Sequence, residues 1–237
     1  MPSSYLLKIS LLNVPHAIWR RFVVPSDIML DQLHEVVQIV MGWQNCHMHS
    51  FLIGQHQYQS TSGFDFGFDD GDEGGSLPEE KYSLGSLVSK KGTDFGYWYD
   101  FGDDWIHKIV VEDTNYKNTD WPYPVCCIEG ARACPPDDCG GVDGFVDFCK
   151  AMANPKHPEH KELKSWFGGQ YDPEHFDLNA VNKRLGVKRS STATKKAVKK
   201  TAKKAAKKVT KKATKKVAKK KPRSMWVFTD KPDKPKK

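Results

Sequence analysis

The sequence predicts an α+β body, with a mixed or antiparallel sheet and packed helices, followed by a disordered lysine-rich tail. Three observations carry this. Apolar patterns run as strands and a helix, then a hairpin, then short helices. Residues 97–112, YWYDFGDDWIHKIVVE, set alternating aromatics and branched residues on either side of a Gly/Asp turn, the pattern of a central hairpin. Charge is split along the chain. Residues 188–237 hold 22 Lys+Arg and 2 Asp, which leaves 15 basic and 27 acidic groups in residues 1–187. The formal net charge of +8 therefore joins an acidic body, residues 1–187, to a polycationic arm, residues 188–237.

Residues 5–12 and 18–24 read as two strands, with Pro15 in their connection and Pro25 ending the second. Within the second, Trp19-Arg20-Arg21 fits a half-buried strand with one arginine outward, or an arginine aimed at an acidic site or an anion. Residues 27–41 predict a helix, since Leu30, Leu33, Val37, Val40 and Met41 share a face. Ser26 or Asp27 would cap it and Gly42 would stop it. His34, near the apolar face, reads as a satisfied core histidine. A turn then feeds a third strand through residues 47–54. There His47 and His49 would share a strand face, a geometry able to hold a metal.

Residues 61–81 are rich in Gly, Asp and Glu and lack the ligand spacing of a calcium-binding loop, so they read as an acidic surface loop. Residues 84–88 form a short element before the hairpin, whose turn is Phe101-Gly102-Asp103-Asp104, with Gly102 supplying a positive φ. Residues 115–141 read as irregular, since four prolines there argue against helix and central strand. Short helices are predicted over 144–153, 158–167 and 178–185. Asp177 caps the last and Gly186 stops it.

The chain has no run of about 18 apolar residues, the length that predicts a membrane span. Its start, MPSSYLLKIS, lacks the basic region of a signal peptide. A reducing cytoplasmic location is expected, where the six cysteines would be free or metal-bound rather than disulfide-linked.

Several stretches, in this order, carry a resemblance: YLLKISL, IWRRFVVP, LDQLHEVVQIVMGWQNCHMHSF, YWYDFGDDWIHKIVVE, ACPPDDCGGVDGF and FDLNAVNKRL. Across residues 5–185 the body resembles the plasmid pRiA4b ORF-3-like family, also called MM3350-like. The resemblance implies an α+β fold and an association with mobile elements. It implies no particular activity, and no serine-recombinase motif is present.

Two clusters in the body have chemical capacity. Asp100, Asp103, Asp104 and His107 would gather at one end of the hairpin, with Glu112 as a further carboxylate. They could hold Mg²⁺ or Mn²⁺ or share a proton, or the aspartates could fix the turn through backbone N–H groups. Among Cys126, Cys127, Cys134 and Cys139, three thiolates could form a structural zinc site with His157 or His160 as the fourth ligand, or the cysteines could pack as small apolar residues while Asp137 and Asp138 serve a turn.

The tail carries the most specific pattern. Seven lysine pairs recur every four residues: Lys195 and Lys196, Lys199 and Lys200, Lys203 and Lys204, Lys207 and Lys208, Lys211 and Lys212, Lys215 and Lys216, Lys219 and Lys220. The fillers are Ala, Val and Thr. Free in solution, fourteen like charges with little apolar content predict disorder. On DNA, phosphate neutralises them and Ala and Lys favour helix. A four-residue repeat drifts about 40° per step against the helical period, so the lysines wind around such a helix. That suits a groove-wrapping arm without base readout. The segment is similar to linker-histone C-terminal tails and to lysine-rich tails of bacterial histone-like proteins. It lacks an apolar face for a membrane surface. An apolar knot, Met225 to Phe228, lies near the end. The sequence thus favours a non-enzymatic, nucleoid-associated protein whose body binds a partner. The rival is a metal-dependent enzyme acting on nucleic acid through the hairpin carboxylates and His107.

Overall fold

The computed structural model describes residues 3–61, 75–118 and 123–187. The fold is α+β. Strands β1 (Ser4–Leu11), β2 (Trp19–Pro25), β3 (His49–Ile53), β4 (His56–Gln59), β5 (Leu77–Pro78), β6 (Asp94–Tyr99), β7 (Trp105–Asp113) and β8 (Cys126–Ala131) form one sheet in the order β5-β4-β3-β6-β7-β1-β2-β8. Every pairing is antiparallel except β4 with β5. The predicted hairpin β6–β7 sits at the centre of that order.

Alternation along the strands gives the sheet its buried face. Tyr5, Leu7, Ile9 and Leu11 of β1 point into the core, as do Phe95, Tyr97 and Tyr99 of β6 and Trp105, His107, Ile109 and Val111 of β7. Helix α1 (Leu30–Met41) supplies Leu30, Leu33, Val37, Val40 and Met41 to the same core. Gly42 ends it at φ 112°, and its N–H donates to Gln38 O. Neither Ser26 nor Asp27 caps the helix, which starts later, at Leu30, after a bridge between Met29 and Ser83. Helix α2 (Leu84–Leu87) follows that bridge. Helices α3 (Gly141–Ala153), α4 (His160–Phe167) and α5 (Leu178–Arg184) complete the body. Asp177 caps α5 as expected, accepting from Asn179 N and Ala180 N.

Further local expectations change: the loop read over residues 61–81 ends in β5 and a 3-10 turn over Glu79–Lys81. The proline-flanked segment read as irregular contains β8, an edge strand paired with β2. The hairpin turn does not use Gly102 for its left-handed positions, which are Asp100 at φ 55° and Asp104 at φ 59°. Aspartate tolerates this region because its side chain bonds nearby backbone. Asp100 Oδ1 accepts from Gly102 N at 2.9 Å and Asp103 N at 3.3 Å.

Candidate functional site

Three loops meet at one end of the sheet: residues 42–48 after α1, the hairpin turn 100–104, and residues 132–140 between β8 and α3. The first is held by a closed hydrogen-bond ring. His34 Nε2 donates to Asn45 Oδ1 at 2.6 Å. His34 Nδ1 then accepts from Tyr97 Oη at 2.8 Å, which accepts from Gln38 Nε2 at 2.8 Å. Gln38 Oε1 closes the ring by accepting from Asn45 N at 2.9 Å. The ring needs a neutral imidazole, and burial, with His49 stacked on it, lowers the His34 pKa to about 3. His34 is therefore the satisfied core histidine that its position predicted.

Asp137 ties the third loop to the other two elements. Its Oδ1 accepts from Tyr99 Oη at 3.0 Å and its Oδ2 from Gln44 N at 3.1 Å. Burial raises its pKa and, with Asp137 alongside, raises that of Tyr99. Asp103 Oδ2 accepts from Gly140 N at 3.1 Å, and Gly141 packs so closely on Asp103 O that an added Cβ would lie 2.7 Å away. His47 lies between the loops, with Nε2 3.2 Å from Asp138 Oδ1 and 3.5 Å from Asp100 Oδ2.

The structure redistributes the residues singled out in the sequence. Of the hairpin set, Asp100 faces His47, and Asp103 braces the third loop. Asp104 closes the turn with its N–H on Asp100 O at 2.7 Å. His107 is not with them. It is 1 % exposed, and its Nδ1 donates to the carbonyls of Tyr97 and Trp105 at 3.2 and 3.1 Å. Burial lowers its pKa to about 4, so it is neutral in the core. Its place follows from strand alternation, which turns His107 inward with Trp105 and Ile109. Glu112 instead pairs with Arg21, whose Nε lies 2.5 Å away. His47 and His49 also part: His47 lies in the loop before β3, while His49 Nε2 meets Glu79 at 2.9 Å.

The four cysteines do not converge. Cys126 and Cys127 are successive residues of β8 and face opposite sides of the sheet. Cys126 packs with Val23 and Val187, and Cys127 packs in the main core. One ion cannot take both thiolates. Burial raises the pKa of Cys126 to about 11 and of Cys127 and Cys139 to about 12, so without a bound cation these thiols stay protonated. His160 Nδ1 is committed to Ala151 O at 2.8 Å. Among the described residues, the ligand atoms that approach within 4.8 Å of one another belong to two groups sharing His47. One is His47, Asp100 and Asp138, and the other is Cys46, His47 and Asp137. In the sequence Asp137 and Asp138 show only as turn residues, because their partners Cys46, His47 and Asp100 lie on other loops.

Beside these loops lies a cleft of about 710 Å³, bordered by Gln44, Cys46, Asp137 and Asp138 on one side and by Trp166 and Tyr171 on another. Its volume is in the range of small-ligand sites, roughly 300–1,000 Å³. Arg20 lines it but offers it little. Its guanidinium, 2 % exposed, donates to the carbonyls of Val40, Trp19, Ala131 and Arg132 at 2.7–2.8 Å and lies 4.2 Å from the Phe176 ring. Arg20 is thus a structural tie between β2, α1 and the β8–α3 loop. The lysine pairs from Lys195 to Lys220, the acidic core of the loop over residues 62–74, and the knot from Met225 to Phe228 lie outside the described residues.

The model of the plasmid pRiA4b ORF-3-like protein matches residues 3–180. The chain belongs to this family. A relative, the uncharacterized protein y4hQ of Sinorhizobium fredii, is 36 % identical over 193 residues, covering 80 % of this chain and 94 % of its own. A similar crystal structure is that of MM3350 from Methanosarcina mazei Go1, a protein of unknown function. It matches with a TM-score of 0.65 and 28 % identity, over 76 % of this chain and 97 % of its own. Among the described residues, no helix of this pRiA4b ORF-3-like chain is long and apolar enough to cross a membrane.

Proposed function

We propose that this pRiA4b ORF-3-like protein is DNA-associated: the lysine-rich tail holds it on nucleic acid, and the acidic body supplies a binding or regulatory contact. The observation that carries the proposal is the register of seven lysine pairs between Lys195 and Lys220. Fourteen lysines spaced through small residues neutralise phosphates and displace counterions, and they contain little that reads a base edge. The body as a whole is acidic, since residues 1–187 hold 27 acidic against 15 basic groups. Its cleft is the feature suited to a second ligand, and association with DNA would place the protein at the nucleoid.

The test compares the full chain with a variant in which the fourteen paired lysines are replaced by glutamine. Binding to a duplex is followed by fluorescence anisotropy at physiological salt. The variant should lose at least a hundredfold in affinity. Equal affinity of the two proteins would remove the tail as the DNA-binding element.

A further inference from the structure

We propose that His47, Asp100 and Asp138 form a binding site for a divalent transition metal of the zinc class, at the edge of the cleft. The first support is distance. Ligand atoms held 2.0–2.2 Å from a tetrahedral ion stand about 3.4 Å from one another. His47 Nε2 lies 3.2 Å from Asp138 Oδ1 and 3.5 Å from Asp100 Oδ2, and all three atoms fall within 4.8 Å. The spacing is that of a coordination edge.

The second support is the state of the histidine nitrogen. His47 Nε2 is shielded from solvent and makes no aligned hydrogen bond, although two carboxylate oxygens lie against it. A buried ring nitrogen without a hydrogen bond is costly. An ordinary histidine–aspartate ion pair would align an N–H with one oxygen. Here the nitrogen is shared between two oxygens and bonded to neither, which suits a cation between the three.

The third support is the bracing of each ligand. Asp100 spends Oδ1 on Gly102 N and Asp103 N, which leaves Oδ2 turned to His47. The loop carrying His47 is fixed two residues upstream, where Asn45 joins the hydrogen-bond ring at φ 56°. Asp138 follows Asp137, which is clamped by Tyr99 and Gln44. Such outer contacts orient the ligands of a metal site. The ligands come from three separate loops, so the site is organised by the fold.

The donor set indicates the class of ion. One imidazole nitrogen with two carboxylates is a first-row transition-metal set, whereas Mg²⁺ and Ca²⁺ take oxygen. Three protein ligands leave a tetrahedral ion one position for water or a cleft ligand. Asp138 and Cys46 both line the cleft, so the ion would border it. Cys46 and Asp137 lie within ligand reach of His47 as well.

The experiment uses the full chain, stripped with chelator and then dialysed against zinc. Bound metal is measured by plasma emission, and Co²⁺ replaces zinc to report coordination by visible absorption. The expected result is one equivalent of zinc, with Asp138→Asn and His47→Gln each weakening it at least tenfold. A double variant, Cys134→Ser with Cys139→Ser, should keep wild-type affinity. Less than about a tenth of an equivalent in the wild type, against the single site expected, overturns the proposal. So does zinc that survives unchanged in both the Asp138 and His47 variants. Asp138 has a side chain 69 % exposed, so Asp138→Asn decides the matter if His47→Gln does not fold.

Discussion

His34 Nε2 donates to Asn45 Oδ1 at 2.6 Å, and this bond ties the middle of α1 to the loop that carries His47. The bond matters because both partners are constrained in other ways. His34 is 5 % exposed and has its other nitrogen on Tyr97. Asn45 holds a left-handed conformation at φ 56° and gives its N–H to Gln38. The loop geometry is therefore set by helix and sheet side chains together.

Replacing Asn45 separates the bond from the backbone strain. Asn45→Gly keeps the left-handed conformation but orphans the His34 N–H, which should cost about 1–3 kcal/mol. Asn45→Ala should cost roughly 1–2 kcal/mol more, the left-handed penalty of a residue with a Cβ. Urea denaturation of the two variants measures both. A wild-type midpoint for Asn45→Gly would show that the ring does not hold the loop.

Stability should depend on two buried histidines. Their folded pKa values are lowered by burial, to about 3 for His34 and about 4 for His107. The unfolded chain, with histidine near pH 6.5, binds more protons below that pH. Their contribution is therefore complete above about pH 6.5 and is lost as pH falls toward 4 and then 3. At pH 5 the two together should approach a slope of roughly 2.7 kcal/mol per pH unit. His107→Phe should remove about half of that slope in urea titrations at stepped pH. An unchanged slope would place the proton uptake elsewhere.

The two neighbouring arginines of β2 should respond differently to lysine. Arg20 is buried and spends its guanidinium on four backbone carbonyls, which a single ammonium cannot reach together. Arg20→Lys should cost about 3 kcal/mol or more, through unsatisfied buried carbonyls and a poorly hydrated charge. Arg21 lies between Glu112 and Glu129, with about a quarter of its side chain exposed, and the bond to Glu112 raises its pKa. Arg21→Lys should cost under about 1 kcal/mol. Thermal unfolding of the two variants orders them, and equal losses would show that Arg20 is not the tie between α1 and β8.

The sequence made the central hairpin, the main helix and the capped last helix legible because each is specified locally. Period-2 aromatics, a period-3.6 apolar face and an Asp cap are written in consecutive residues. Strand β8 was not legible, since an edge strand between prolines depends on β2 for its pairing. The candidate site was legible in parts. Asp100 belonged to a visible carboxylate cluster, yet its partners lie on two other loops. His107 shows the opposite case. Its nearness in sequence to three aspartates suggested chemistry, while strand alternation had already committed it to the core.

The tail gives the most quantitative expectation. Fourteen paired lysines between Lys195 and Lys220 meet a duplex that carries a condensed counterion layer. Each phosphate they neutralise releases counterions, so affinity falls with salt as a power law. If on the order of ten lysines engage at once, the log–log slope should be near −9 on duplex DNA and near −7 on a single strand. Lysines contact phosphate as point charges, so two unrelated duplexes should bind alike. The acidic body opposes binding if it acts at all, and that repulsion should weaken as salt screens it. Anisotropy titrations on both duplexes at several salt concentrations measure these quantities together. A slope near zero would show that phosphate neutralisation is not the source of affinity. A strong preference for one duplex would move the search for base readout to the body.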